Sequence, residues 1–568
     1  MRNFANDFNP NNIAMKKIFT AVAGALALLA VFTPSQARNN KLSIDRNLSI
    51  FNSITKELYS NYVDTLDAER ITRTAIDAML SSIDPYTEYY SEDEVENLSV
   101  ISTGHYGGIG AYISKRGTGR VYVSQPVWGT PAQQAGLRHG DKILAINGQS
   151  VDGLTTDRVS SILRGQAGTS LTVDIERPWV EDSLLTFNIV RRTIEVEPVP
   201  YHRLGDDGIG FITLSTFNEQ SADHVRDAIA EMKATGRLRG LILDLRGNGG
   251  GVIDGAVGIA GLFVPKGTEI VRTRDASGSN QKIYKTTRKP IAEDIPLAIL
   301  INGSTASSSE ILAGSMQDLD RAVIIGDRSY GKGLVQTSRP VAYGGLLKLT
   351  VARYYIPSGR LIQAIDYSHR RDDGSPMRIP DSLTTVWHTA AGREVRDGGG
   401  ITPDIALNDT SVNNVIYSAV ADNWIFDFAN RYRARHDSVP AASEWVIGDS
   451  IFNEFKAFID PDRFKYDRAS EAGIDYLREA AEFEGYMNDS VKAQIDRLAG
   501  MLKHDLNHDL DFNRDELLRL LDAELSQRYY NDYDCLMRAA ANDDATRRAA
   551  ALLLDRDALS AILHPKND

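Results

Sequence analysis

The chain has 568 residues, 42% of them hydrophobic and 24% charged, an ordinary globular composition long enough for roughly three or four domains. Its formal charge is −13 and no lysine- and arginine-rich run stands out, which argues against nucleic acid as the main partner. Cys535 is the one cysteine, so an intramolecular disulfide and a cysteine-based metal cluster are both excluded.

In chain order, "MKKIFTAVAGALALLAVFTPSQARNN" comes first. It carries Lys16 and Lys17, an apolar run from Ile18 to Phe32, and small residues Ser35 and Ala37 at the spacing of a signal-peptidase site. The expectation is a cleaved leader over residues 1–37 and a soluble, exported, periplasmic product. The apolar run is shorter than the roughly 20 residues a membrane-spanning helix needs, which favours a leader over an anchor. Residues 42–102 then show helical spacing: Leu48, Phe51, Ile54 and Leu58, followed by Ile71, Ala75, Met79 and Leu80.

The pattern changes over residues 103–192 to short β-rich runs separated by glycine and proline turns. "PAQQAGLRHGDKILAINGQSV" followed by "VSSILRGQAGTSLTVDIER" resembles a PDZ domain in the circular order found in bacterial proteases. A domain of this kind binds by strand addition, with a glycine turn collecting a terminal carboxylate on its N–H groups. The candidate turn is "GGIGA", which points to Gly108, Ile109, Gly110 and Ala111 as peptide-binding residues. Arg164, in "LRGQAGT", is a further candidate, linking tail occupancy to the active site. Trp128 is expected in the core.

Over residues 193–410 the rhythm becomes α/β: strand "IGFITLSTF", helix "ADHVRDAIAEMKATG", buried strand and glycine loop "GLILDLRGNGGG", strand "PLAILIN", a serine segment and strand "AVIIGD". Largely parallel pairing with right-handed crossovers is expected. "ILINGSTASSSEILAGSMQDL" reads as strand, tight turn and helix, which puts a hydroxyl at a helix N-terminus where N–H groups favour a developing anion. Taken alone, such serines are ordinary helix caps. In "GDRSYGKGLVQ", Lys332 lies between two glycines. Drawn against backbone, a desolvated lysine can serve as a base, although a single lysine is more often a snorkelling surface residue.

Together these segments resemble the carboxyl-terminal processing proteases of the S41 serine peptidase family: "TASSSEILAG", "YGKGLVQ" and "LDLRGNGGG" behind a PDZ-like segment. "YYIPSGRLIQ", "AGREVRDGGGITPD" and "LSSIDPYTEYYSEDE" extend the likeness from about residue 45 to 410. The resemblance implies a multidomain α+β fold, with a crotonase/ClpP-like protease core after the PDZ domain. It implies Ser307 as nucleophile, Lys332 as base and Gln336 as the support of that lysine. It also implies an oxyanion hole from the N–H of Ser308 and one of Gly250 and Gly251, with Gly250 slightly preferred. No cofactor and no metal are implied. The partners implied are protein substrates with unstructured C-terminal tails. Thr305, Ser308 and Gly249 depart from the commonest pattern, which leaves Ser307 and Ser309 close rivals on motif alone. The rival class is a PDZ peptide-binding scaffold without activity.

Residues 411–568 are rich in helix formers and acids and lie beyond the resemblance. They are expected to form a separate helical region, with an adaptor or self-association as its candidate business. Within it, "DLNHDLDFNRDE" spaces Asp505 to Glu516 like a calcium loop, but Leu510 stands where the sharp turn calls for glycine. His504 and His508 lack a third zinc ligand. His388 leaves a serine, histidine and aspartate triad open on sequence alone.

Overall fold

The computed structural model describes residues 33–92, 94–95, 104–115, 119–371, 373–407 and 413–565. Residues 1–32 of the expected leader lie outside the described residues. Among the described residues no helix is long and apolar enough to cross a membrane. The chain divides into two units, residues 1–82 and 83–568. The first contains helices α1 (Thr33–Asn61) and α2 (Ala68–Ser81), the latter capped by Asp67, whose side chain accepts from the Arg70 N–H.

The second unit begins with β1 (Glu88–Tyr90) and then a PDZ-like body. Its elements are β2 (His105–Gly108), β3 (Ala111–Lys115), β4 (Val121–Pro126), α3 (Pro131–Ala135), β5 (Lys142–Ile146), α4 (Thr156–Leu163), β6 (Ser170–Glu176), β7 (Leu184–Val190) and β8 (Arg192–Glu195). Strands β3 to β7 form an antiparallel sheet in that order, with the short strand Gln149–Ser150 added on β5. β2 pairs with β8. Alternation along β6 sends Leu171, Val173 and Ile175 inward, where they meet Ile109, Val159 and Leu163. Pro131 at the start of α3 and left-handed Gly136 after its end fix that short helix.

The α/β body follows: β9 (Tyr201–Leu204), β10 (Ile209–Thr213), α5 (Ser221–Ala234), β11 (Gly240–Asp244), α6 (Ile253–Ala260), β12 (Glu269–Asp275), β13 (Gln281–Lys285), β14 (Leu297–Ile301), α7 (Ser308–Asp318), β15 (Val323–Gly326), β16 (Leu334–Pro340), β17 (Leu346–Tyr355) and β18 (Ile405–Ala406). Its main sheet runs β9-β10-β11-β14-β15-β18, parallel except for the β9–β10 pair. Strands "GLILD", "LAILI" and "VIIG" are buried along their whole length, so the sheet must be covered on both faces. Helices α5, α6 and α7 cover one face through Val225, Ile229, Ile259, Ile311 and Leu312. A five-stranded sheet of β1, β17, β12 and β13, with β16 on β17, carries the strand that follows Lys332.

The helical region holds α8 (Asn414–Ala421), α9 (Trp424–Arg435), α10 (Asp449–Phe458), α11 (Ala469–Phe483), α12 (Asp489–Met501), α13 (Leu506–Phe512), α14 (Arg514–Tyr529), α15 (Asp532–Ala541), α16 (Asp544–Leu554) and α17 (Arg556–Leu563). Helices α8 to α10, α13 and α14 build an aromatic core around Phe428, Trp445, Phe455 and Leu521. The end of this region also packs on the main sheet: Ala545, Ala549 and Leu553 of α16 and Leu559 of α17 share a core with Phe211, Ile242, Leu300 and Ile325. The calcium-loop spacing is spent on helix. Asp505 caps α13, and residues 506–512 wind so that their carboxylates point around an axis and not into one centre.

Candidate active site

β14 ends at Ile301, and the turn after it is tied down by Thr305, whose Oγ1 donates to the Leu245 carbonyl at 3.0 Å. Ser307 then adopts φ 57°, ψ −117°, a backbone that side chains other than glycine rarely take and that costs about 1–3 kcal/mol. Helix α7 starts at the next residue, so Ser307 stands at its N-terminus, half-buried. Its rival on motif, Ser309, is occupied, Oγ donating to the Asn248 carbonyl at 2.9 Å, and Ser308 Oγ donates to the Gly251 carbonyl at 2.8 Å; both residues are fully buried.

The glycine loop after β11 lies against this turn. A Cβ on Gly250, at φ +100°, would sit 2.8 Å from the Ser307 Cβ and 2.9 Å from the Ser308 nitrogen, so only glycine fits. The Gly250 N–H is taken by Asn248 Oδ1 at 2.8 Å. The Gly251 N–H has no such partner among the described residues, which moves the preference within the glycine pair to Gly251. Asn248 is itself fixed by its Nδ2 donating to the Leu214 carbonyl at 2.7 Å.

Lys332 enters from the loop between β15 and β16. Its Nζ lies 4.4 Å from the centre of the Tyr86 ring. Burial pulls the ammonium down to about 8, with Lys348 adding to the fall and Glu310, Glu88 and Asp84 opposing it. Gln336 lies on β16 and donates from Nε2 to Thr350 Oγ1 at 3.1 Å.

Three further side chains at the site carry no signal by residue type. Glu310 is fully buried and accepts four hydrogen bonds: from Ser307 N–H (2.9 Å), Lys332 N–H (2.9 Å), Gly331 N–H (2.7 Å) and Ser329 Oγ (2.5 Å). One oxygen, Oε2, therefore joins the Ser307 turn to the Lys332 loop. Burial pushes this carboxyl up to about 7 against those bonds. Tyr86 comes from the "DPYT" segment and Tyr354, whose hydroxyl donates to the Ser307 carbonyl at 3.2 Å, from β17. Both lie far from Ser307 in sequence.

The PDZ residues gather elsewhere. The carbonyls of Ile109 and Gly110 accept from Ala132 (2.8 Å) and Val127 (3.0 Å), while the Ile109 and Gly110 N–H groups donate to no group among the described residues. Gly108 and Ala111 flank them at the ends of β2 and β3, and Arg164 ends α4 with its guanidinium 4.8 Å from the Tyr106 ring centre. Trp128, expected in the core, is 56% exposed because it stands on the turn leaving β4. His388 sits in a small ladder opposite Glu394. Both nitrogens of His504 are bonded, to Ser470 and Asp509, and no group of three or more metal-ligating residues occurs among the described residues.

Comparison with known proteins meets this geometry. Peptidase family S41 matches over residues 208–368, a PDZ domain over 122–177, and "Probable PDZ-protease, C-terminal helical domain" over 415–553. The carboxy-terminal-processing protease of Bartonella bacilliformis is 36% identical over 62% of this chain and 81% of its own. A probable CtpA-like serine protease of Staphylococcus aureus is 31% identical over 60% and 68%. Among solved structures, the photosystem II D1 C-terminal processing protease aligns at 26% identity over 64% of this chain and 93% of its own, with a TM-score of 0.36. The Bartonella relationship, at 36% identity over four-fifths of that relative, places the chain in peptidase family S41, among the carboxy-terminal-processing serine proteases.

Proposed function

We propose that this is an exported, periplasmic endopeptidase that holds a substrate's C-terminal tail on its PDZ domain and cuts the chain with a Ser307/Lys332 dyad. The observation that carries the reading is Glu310 binding the backbones of both residues, beside an amine already lowered to about 8. Neutral Lys332 takes the Ser307 hydroxyl proton as Oγ bonds to the scissile carbonyl carbon. The oxyanion meets the N–H groups of Ser308 and Gly251, near the positive end of α7. Lys332 returns the proton to the leaving amine as the C–N bond breaks, then takes one from the water that releases the acyl group. Gln336 would steady the β16 side of the base through Thr350. At the PDZ domain the N–H groups of Ile109 and Gly110 are placed to receive a carboxylate, and β3 offers its edge to the tail.

The experiment is cleavage of an unfolded reporter with an apolar C-terminal tail, free or amidated, by wild type, Ser307→Ala and Lys332→Ala. Expected are loss of cleavage in both variants, a weaker rate on the amidated tail, and a wild-type kcat/KM that rises about tenfold per pH unit up to about 8 and then levels, because the base works only when deprotonated. Persistent cleavage by Ser307→Ala would overturn the dyad. Equal rates on free and amidated tails would overturn carboxylate capture.

A further inference from the structure

The PDZ turn opens into a cavity of about 800 Å³ whose walls come from three parts of the chain. Its apolar side is PDZ: Ile109, Ile113 and Leu163. Helix α15 of the C-terminal helical region closes a second side with Asp532, Cys535 and Leu536, and the segment leaving β8 closes a third with Glu195 and Glu197. With Asp157 of α4, four carboxylates line the space, against Arg164 as the one basic lining residue. Glu197 is engaged by His224 at 2.6 Å. Asp532 accepts from the neutral amide of Gln125 at 2.6 Å, and no lysine or arginine pairs with Asp532, Asp157 or Glu195 among the described residues.

Carboxylates without counter-ions in a half-enclosed space focus a negative potential, which attracts a cation entering it. A tail held by its terminal carboxylate at Ile109 and Gly110 carries its preceding residues through this space. An acidic tail meets like charge from both walls, and a basic one supplies the missing partner. We infer that the C-terminal helical region is part of the tail-binding site, and that Asp532 with Asp157 and Glu195 selects substrate tails bearing lysine or arginine just before an apolar C-terminal residue. The inference rests on the tail-capture reading above and assigns α15 a direct part in specificity.

The test is fluorescence anisotropy of three labelled decapeptides with the same apolar end, carrying Lys-Lys, Ser-Ser or Glu-Glu just before it, on the full-length chain made inactive by Ser307→Ala. The Lys-Lys tail should bind about 10-fold tighter than the Glu-Glu tail at low salt, with the gap closing as salt screens it. Asp532→Asn and Glu195→Gln should each cut that ratio about 3-fold, on the scale of one exposed charge contact. Glu195→Gln leaves α15 untouched, so the test survives if Asp532→Asn disturbs the helix. Equal affinities for the three tails, or a ratio that persists in both variants, would overturn the inference. A Ser-Ser tail that binds no better than its amidated form removes carboxylate capture itself, and the inference with it.

Discussion

Glu310 receives four hydrogen bonds at full burial, two of them from the backbones of Ser307 and Lys332, and its carboxyl is raised from about 4.5 to about 7. A carboxyl with a raised folded pKa adds stability that is fully present below its unfolded pKa and is lost as pH rises through the folded one. Between pH 4.5 and 7 the wild type should therefore lose about 3 kcal/mol through this residue alone. Urea unfolding at pH 5 and pH 7.5 should give a drop for wild type that exceeds the drop for Glu310→Gln; equal drops would show that the carboxyl is not perturbed. An amide there also turns one acceptor into a donor facing N–H groups, and on the proposed dyad kcat should fall about 100-fold through misplacement of Ser307 and Lys332. Ser307 and Lys332, the proposed dyad, can be picked out in the sequence because each sits in a compact motif. The partnership at Glu310 is not, because burial and the approach of a loop some twenty residues on are products of the fold. For the same reason the sequence could not tell that Gly250 had already given its N–H to Asn248.

Helix α16 begins at an N-cap whose second use only the fold reveals. Asp543 Oδ2 accepts from the Thr546 N–H at 2.9 Å, and its carboxylate also holds Arg246 at 2.9 Å, alongside Asp244 at 2.7 Å. Arg246 opens the Gly247–Gly251 loop, so the start of a helix near the C-terminus braces the loop that faces Ser307. Asp543→Ala removes a cap worth about 1 kcal/mol and leaves a half-buried guanidinium with one partner in place of two, for a total near 2 kcal/mol. A Tm lowered by several degrees and a kcat reduced more than KM is changed are expected from calorimetry and steady-state kinetics. An unaltered Tm would show the brace to be idle. "NDDATRRAAALLL" announces the cap and the helix in sequence, but nothing in it names residue 246 as the partner.

The main sheet needs cover on both faces, and the continuous apolar runs of its strands say so in sequence: "LIL", "LAILI" and "VII" have no polar side to show to water. What supplies the second cover was not legible, because α16 presents alanines and leucines that would fit many surfaces. The structure gives the task to α16 and α17. A chain ending near residue 410 would bare Phe211, Ile242, Leu300, Val323 and Ile325 as one apolar face. It should collect in the insoluble fraction, or bind a hydrophobic dye strongly where it stays soluble. A soluble, folded and active truncation would refute the shared core. Truncation is thus a poor probe of self-association, and substitutions on exposed helix surfaces serve better.

The shared core also sets a clock. A polypeptide is made from its N-terminus, and β14 and β15, which flank the Ser307 turn, exist long before the residues beyond Ala540 that seal their outer side. Until those residues are made, these strands lack their second cover, so the folding of the peptidase sheet can be completed only after the helical region that follows it in the chain has been synthesised.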